Sequence, residues 1–157
     1  MAHDQGERAD RADRDDRDDD REDLGALLHR LAVAVARREA PLLAAHGLDL
    51  WEYAVLGRLR TGAAPTQAQL AEAVGRDATR IIPILDRLQA RELVDRTPDP
   101  RDRRNRVVTL TSRGRQVLQD CRTAIHAMED DVLAGLPPQE RAELAAALTG
   151  LAGRLSG

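Results

Sequence analysis

The sequence contains no phenylalanine and no lysine, and it has a single tryptophan, Trp51, and a single tyrosine, Tyr53. A core with so few aromatic side chains must be built from Leu, Ile, Val and Ala, which favours packed helices over a β-sandwich. The 157 residues and the hydrophobic content of 42% suit one compact domain. The composition therefore predicts a small, mainly helical protein.

The single cysteine, Cys121, excludes an intramolecular disulfide, and no apolar run resembles a signal peptide or a membrane span. We therefore expect a cytoplasmic protein with no membrane partner. The histidines show no metal-ligand spacing with one another or with Cys121; they are His3, His29, His46 and His126. The sequence also offers no credible nucleophile with a base and no glycine-rich phosphate loop. We expect no metal, no cofactor and no enzyme activity.

Charge is unevenly distributed along the chain, whose formal net charge is −3. Residues 1–23 hold 5 Arg and 11 acidic residues, and they contain no apolar stripe. We predict that they form a disordered acidic arm, either a solubilising tail or an arm that competes with DNA for the arginines of the body. By contrast, residues 76–115 hold 11 Arg and 6 acidic residues. Positive charge is therefore concentrated in one contiguous segment.

Apolar residues recur at helical spacing at both ends of the remaining chain. They predict a first helix from Leu24 to near His46 and, after a cap at Ser112, two C-terminal helices separated by Pro137-Pro138. The two C-terminal stripes are Val117, Leu118, Cys121, Ile125, Met128 and Val132, then Leu144, Leu148, Leu151 and Leu155. These stripes pack either within one chain or against a second copy in a twofold dimer. Cys121 lies on one of these apolar stripes. We therefore predict that it is buried, rather than a sensor of oxidants.

The middle of the chain has the pattern of two short, closely joined helices. Asp49 caps the helix before them, Thr66 caps the first of the pair, which stops at Gly75, and Asp77 caps the second. The apolar positions of the second helix are Ile81, Ile82, Leu85 and Leu88. Two helices joined this tightly form a helix-turn-helix, whose second helix is the recognition helix. The residues expected to face base edges are Ala78, Thr79 and Arg80.

A β-hairpin is predicted directly after the recognition helix. Its strands are Leu93–Thr97 and Arg106–Leu110, and its exposed turn is Pro98–Asn105. The turn carries three arginines on a loop too polar to pack. A basic hairpin beside a helix-turn-helix suits phosphate contacts or insertion into the minor groove.

These segments resemble the MarR (multiple antibiotic resistance regulator) family in order and spacing. The resemblance is carried by Gln-Leu-Ala-Glu at 69–72, Leu-Asp-Arg-Leu at 85–88, Leu-Val at 93–94, Asp-Pro-Arg-Asp-Arg-Arg at 99–104, Val-Thr-Leu-Thr at 108–111 and Gly114. It implies a winged helix-turn-helix regulator of transcription, with repression as the first expectation. It also implies an obligate homodimer whose recognition helices enter successive major grooves of a palindromic site, with the wings in the adjacent minor grooves.

The expected organisation follows from this resemblance. A DNA-binding lobe over 49–111 lies between a first dimerisation helix, 24–48, and the C-terminal dimerisation helices, 112–157. The expected DNA contacts are Thr66, Gln67, Arg76, Thr79, Arg80, Arg101, Arg103, Arg104 and Arg106. Ala78 stands where the family often has Arg or Lys, and Pro83 inside the recognition helix favours a mild kink. Base specificity is therefore expected to depend on Thr79 and Arg80.

The resemblance also implies a cleft for a small anionic or aromatic effector that releases DNA. The residues in the segments that would line it are His29, His46, Trp51, Tyr53 and Arg58. For Trp51, a role as an anchor of the core is the preferred alternative. A function of another class stays open for the whole chain: a helical protein-interaction module that uses the winged fold only as a scaffold.

Overall fold

The computed structural model describes residues 23–60, 66–100, 102 and 104–155. The acidic arm, apart from Asp23, lies outside the described residues, as do Arg101 and Arg103. The helices and strands are α1 (Leu24–Ala45), α2 (Leu50–Leu59), α3 (Gln67–Ala73), α4 (Ala78–Ala90), β1 (Val94–Pro98), β2 (Arg106–Leu110), α5 (Ser112–Val132) and α6 (Pro138–Leu155). The chain divides into two units, residues 1–37 and residues 38–157. Within the described residues, no helix has the length and apolar character needed to cross a membrane.

The helix starts follow the caps that the sequence predicts, with one exception. Asp49 and Thr66 each form a reciprocal capping box with the residue three positions on, and Asp77 caps α4. The predicted cap at Ser112 is wrong. Thr111 caps α5 instead, and its hydroxyl oxygen accepts the Gly114 N–H at 2.9 Å. Both residues can cap a helix, and Thr111 does so because it directly follows β2 and keeps the extended conformation that a cap requires.

Three helices end with a residue in the left-handed region. Gly47 (φ +68°), Gly75 (φ +67°) and Glu92 (φ +58°) close α1, α3 and α4. After each, an N–H reaches back five residues, as from Arg76 to the Ala71 carbonyl at 2.9 Å. The turn after Gly75 is short, so α3 and α4 form the predicted helix-turn-helix, and α4 runs through Pro83 without interruption.

The core of residues 38–157 is aliphatic, as the composition predicts. Its fully buried large side chains include Leu56, Leu70, Ile81, Leu85, Leu88, Leu93, Leu118 and Cys121. The sequence places Ile82 on the apolar face of the recognition helix, and this prediction is wrong. Ile82 is 45% exposed, whereas Ile84 is buried. Helical periodicity groups Ile84 with Ile81, Leu85 and Leu88 on one face and leaves Ile82 on the other.

The wing is an antiparallel pair in which Val94 lies opposite Leu110 and Pro98 lies opposite Arg106. The predicted second strand has the observed bounds, and the first is shifted by one residue because Leu93 serves as the link from α4. The Leu93 carbonyl accepts the Thr111 N–H at 3.2 Å, which joins the base of the wing to the start of α5. The mainly helical, winged helix-turn-helix fold is therefore confirmed.

The two C-terminal helices differ in burial. Leu118, Cys121 and Ile125 of α5 are buried, whereas Val132 at its end is exposed. Helix α6 has no buried residue along its 18 residues. Among the described residues of 38–157, its apolar stripe is therefore left largely exposed.

Candidate nucleic-acid interface

The N-terminal half of α4 is an exposed surface. Ala78, Thr79, Arg80, Ile82 and Pro83 are all exposed, while the opposite side of the helix enters the core. In a helix-turn-helix, this half of the second helix is the part that meets base edges. The geometry thus presents the residues that the sequence predicts, together with Ile82, which it does not.

Asp77 organises the polar groups at the start of α4. Its Oδ1 accepts the N–H groups of Thr79 and Arg80 at 2.9 and 3.0 Å, and the Thr79 hydroxyl also donates to it. The Arg80 Nε lies 3.3 Å from the Asp77 Oδ2. The Thr79 hydroxyl and then the Arg80 N–H lower the pKa of the Asp77 carboxyl. The cap is therefore ionised at neutral pH and is lost only as the pH falls through this lowered value.

Arg76, a predicted DNA contact, stacks on Trp51. Its guanidinium carbon lies 3.5 Å from the centroid of a Trp51 ring, a cation–π contact. Its Nε is buried and has no acceptor among the described residues. The half-buried Trp51 packs against the core, as its alternative role requires. Arg76 thus adds positive charge at the turn while its side chain is held by α2.

The start of α3 places the other two predicted contacts of the helix pair. Thr66 forms an isolated antiparallel bridge with Val107 of β2, so the start of α3 adjoins the wing. Its N–H donates to Gln69 Oε1 at 2.9 Å, and Gln67 follows as the first, half-buried residue of the helix.

Four wing arginines are predicted to contact DNA, and the structure describes two of them, Arg104 and Arg106. Both are exposed. The Arg104 N–H donates to Asp102 Oδ1 at 3.0 Å, and the Asn105 amide donates to Asp102 Oδ2 at 3.2 Å. Asp102 thus shapes the turn that carries Arg104 and leads into Arg106. A loop that is preformed in this way loses less entropy when it binds a partner.

Sequence reasoning missed the contacts that hold the wing to α4. Arg96 of β1 is 16% exposed at its side chain, and its guanidinium donates to Asp86 and Gln89 of α4. These pairs are seven and ten residues apart in the chain. The wing and the recognition helix are therefore positioned as one unit.

Sequence reasoning also missed the buried carboxylate of Glu52. Glu52 is 4% exposed, and its oxygens accept Arg87 Nε at 3.0 Å and Arg91 Nη1 at 3.2 Å. Arg87 also donates to Asp49 at 2.9 Å. This cluster ties the start of α2 to the C-terminal half of α4, and its charged partners offset the cost of burying Glu52. The capping-box spacing of Asp49 and Glu52 is visible in the sequence, whereas the arginines lie 35 and 39 residues away.

Within residues 38–157, the predicted effector residues lie on different sides of the structure. Trp51 and Tyr53 are two residues apart on α2 and so point about 200° from one another. His46 lies with Nδ1 2.8 Å from the Leu42 carbonyl, Arg58 is exposed, and His29 belongs to the other unit. Burial raises the pKa of the Tyr53 hydroxyl, with Arg122 acting in the opposite direction.

A cleft of about 440 Å³ lies elsewhere, where α2 ends and α5 begins. Its lining residues are Arg60, Leu110, Ser112, Arg115, Gln116, Leu118 and Gln119. Arg115 donates to the Leu110 carbonyl at 2.8 Å and lies 3.3 Å from the Ser112 hydroxyl. Two arginines and two glutamines around leucine side chains suit a small anion with an apolar body. The sequence signal for this cleft is weak, since its residues come from three separate elements.

Cys121 is fully buried, as its place on the apolar stripe predicts. Burial raises the pKa of its thiol, and the Glu39 carboxylate adds to the rise. A thiol with little thiolate character reacts slowly with oxidants. Across the ranges that the structure describes, no group of three His, Cys, Asp or Glu residues is placed to hold a metal ion.

An exposed recognition helix joined to a basic wing defines a winged helix-turn-helix protein of the DNA-binding regulator class. The model of the MarR family matches residues 46–105. The chain belongs to the MarR family.

Comparisons with known proteins agree with this assignment. The chain is 42% identical over 67 residues to the transcriptional repressor NicR of Pseudomonas putida, a match that spans 43% of this chain and 42% of NicR. It is 29% identical over 98 residues to MarR of Escherichia coli, which is 62% of this chain and 68% of MarR. CouR bound to a 23-mer DNA duplex superimposes with a TM-score of 0.73 at 28% identity, over 82% of this chain and 92% of that one. CouR of Rhodococcus jostii RHA1 bound to p-coumaroyl-CoA gives a TM-score of 0.71 at 30% identity, over 83% and 92%.

Proposed function

We propose that the protein represses transcription by binding a palindromic operator as a homodimer. The observation that carries this proposal is the exposed N-terminal half of α4, held by Arg96 against a wing that presents Arg104 and Arg106. The segment 76–115, which contains both, has 11 Arg and 6 acidic residues. NicR is a transcriptional repressor and CouR has been solved on a DNA duplex, which supports the same use of this surface.

The proposal assigns a role to each predicted contact. Thr79 and Arg80 lie on the recognition helix, Thr66 and Gln67 at the start of α3, and Arg76 at the turn between them. The wing arginines, Arg101, Arg103, Arg104 and Arg106, bind phosphates or enter the minor groove. The lobe 49–111 then carries the DNA contacts, and 24–48 with 112–157 carry dimerisation.

The proposal predicts binding that weakens steeply with salt. We expect the full chain to bind duplex DNA from the intergenic region beside its own gene, measured by fluorescence anisotropy across a salt series. Replacing Arg104 and Arg106 together by alanine should weaken binding and reduce the salt slope by about one for each phosphate contact removed. Arg154→Ala removes the same kind of charge from α6, outside the winged helix-turn-helix, and should leave the slope unchanged.

A protein-interaction module would give a different result. Neither the salt series nor the double wing variant would then change duplex binding beyond the effect of Arg154→Ala. That outcome would refute the proposed DNA-binding function.

The homodimer part of the proposal is supported by α6. Leu144, Leu148 and Leu155 are exposed at helical spacing on a helix with no buried residue. A single helix in water gains too little from its backbone hydrogen bonds to be stable, so it needs an apolar partner surface. A second copy supplies an identical stripe and, through its twofold axis, places two recognition helices on one duplex.

We also propose that a small aromatic carboxylate acts as an effector at the cleft lined by Arg60 and Arg115. CouR has been solved with p-coumaroyl-CoA, which supports ligand binding by a protein of this fold. The cleft combines two cations with apolar side chains of Leu110 and Leu118, and it lies at the base of the wing. His29, His46, Trp51, Tyr53 and Arg58 are the alternative lining that the sequence predicts.

The effector proposal is tested with aromatic carboxylates, such as 4-hydroxybenzoate, at millimolar concentration. We expect a ligand to raise the melting temperature and to weaken DNA binding, and Arg60→Ala to weaken the ligand by roughly tenfold, since one charge-assisted hydrogen bond is lost. Ligands that change neither melting temperature nor DNA affinity would exclude this class of effector. If Arg60→Ala leaves the ligand's effect on melting temperature and DNA affinity unchanged, the ligand binds outside this cleft.

A further inference from the structure

We infer that the recognition helix identifies thymine bases by their 5-methyl groups, through an apolar surface made of Ala78, Thr79, Ile82 and Pro83. This inference rests on the proposed DNA-binding function and adds to it the chemistry by which bases are read. Ala78 and Pro83 lack a hydrogen-bonding side chain, so neither can read a base through a donor or an acceptor.

The apolar surface is defined by exposure and by helical spacing. Ile82 is 45% exposed, and Ala78, Thr79 and Pro83 are exposed as well. Ala78 and Ile82 are four residues apart, as are Thr79 and Pro83, so each pair lies on one side of the helix. A single exposed apolar residue is ordinary on a protein surface. Here the exposed apolar groups are adjacent and occupy the half of α4 that enters a groove.

The polar side chains of α4 already have partners within the chain. The Thr79 hydroxyl donates to Asp77, so its methyl group is the part left for a base, and Arg80 pairs with Asp77. Farther along the helix, Asp86 and Gln89 bind Arg96, and Arg87 binds Asp49 and Glu52. Each of these polar groups is oriented by at least one contact within the chain, which limits how it can turn toward a base. Ile82 and Pro83 have no polar contact to lose.

The major groove supplies the matching chemistry. A thymine presents its C5-methyl group there, and apolar side chains contact this methyl group directly. Cytosine presents a hydrogen at the same position and a donor amine beside it, which an isoleucine cannot satisfy. A helix surface of this composition therefore favours thymine at the bases beneath it.

The test uses the full chain and the intergenic duplex fragment that it binds most tightly. Thymine is replaced by deoxyuridine one position at a time, which removes only the methyl group. For the wild-type protein, we expect one or two positions in each half-site where the replacement weakens binding by about fourfold, the value of one buried methyl group. Thymine positions outside the half-sites serve as controls and should show no change.

The variant Ile82→Ala identifies the side chain that makes the contact. It should bind the thymine and deoxyuridine duplexes equally at the sensitive position, whereas Ile82→Val should retain part of the preference. Because Ile82 is exposed, neither variant opens a cavity in the core.

The outcomes separate this inference from the function on which it rests. Specific, salt-dependent binding without sensitivity to any deoxyuridine replacement would overturn thymine readout and leave the DNA-binding function standing. Thymine readout is also overturned if Ile82→Ala weakens the thymine and deoxyuridine duplexes by the same factor. Absence of duplex binding would overturn the proposed function and thymine readout together.

Discussion

Replacing Gly114 by alanine will lower the melting temperature of the protein by roughly 5–10 °C, because overpacking a tight contact costs about 2–3 kcal/mol. A Cβ atom at Gly114 would lie 1.9 Å from the Leu93 carbonyl oxygen and 2.9 Å from its carbon. The obstacle is backbone, which cannot rotate away as a side chain can. The same carbonyl accepts the Thr111 N–H, so relief of the clash must separate α5 from the base of the wing.

A matched variant tests whether the loss comes from this contact. Gly57 lies inside α2, and a Cβ atom added there would meet nothing within 4 Å. Gly57→Ala should leave the melting temperature unchanged or raise it, since alanine in a helix is favoured by about 1 kcal/mol over glycine. Thermal unfolding followed by circular dichroism measures both. A Gly114→Ala protein as stable as the wild type would contradict the close packing of α5 on Leu93.

The second large effect is expected from Leu148→Glu in α6. A charge in the middle of the apolar stripe should convert the proposed dimer to a monomer of 17.2 kDa. A buried unpaired carboxylate is strongly unfavourable in an apolar interface. DNA affinity should fall by roughly 100-fold or more, because a monomer loses the effective concentration that links two half-sites. Light scattering after gel filtration gives the mass, and fluorescence anisotropy gives the affinity.

The control for this variant is Ala146→Glu, which adds the same charge to the opposite side of α6. Ala146 is exposed and lies about 200° around the helix from Leu148. It should keep the mass and the DNA affinity of the wild type. If Leu148→Glu also remains a dimer, the stripe on α6 is not the dimer interface.

Local signals of the sequence predict much of the fold. Asp49, Thr66 and Asp77 are visible as caps because a cap needs only a polar side chain and an N–H two or three residues away. Gly75 marks the end of α3 because its φ of +67° is costly for other residues. The second strand, Arg106–Leu110, is predicted with its observed bounds.

The sequence predicts less completely which side chains are buried, because burial depends on packing between elements. In Ile81-Ile82-Pro83-Ile84, three isoleucines stand within four residues, and periodicity alone permits more than one choice of buried face. The choice that buries Ile84 and exposes Ile82 depends on what α4 packs against. The left-handed Glu92 gives no composition signal at all, since glycine is the residue expected there.

The sequence by itself determined the order of the elements, the helix-turn-helix, the basic wing and the aliphatic core, because caps, turns and periodicity act over a few residues. Only the tertiary structure decided how these parts are joined. It placed Arg87 and Arg91 on the buried Glu52, Arg96 on the recognition helix and Arg76 on Trp51. Charged groups far apart in the chain can pair in many ways, and the aliphatic core selects one by fixing which backbones lie together.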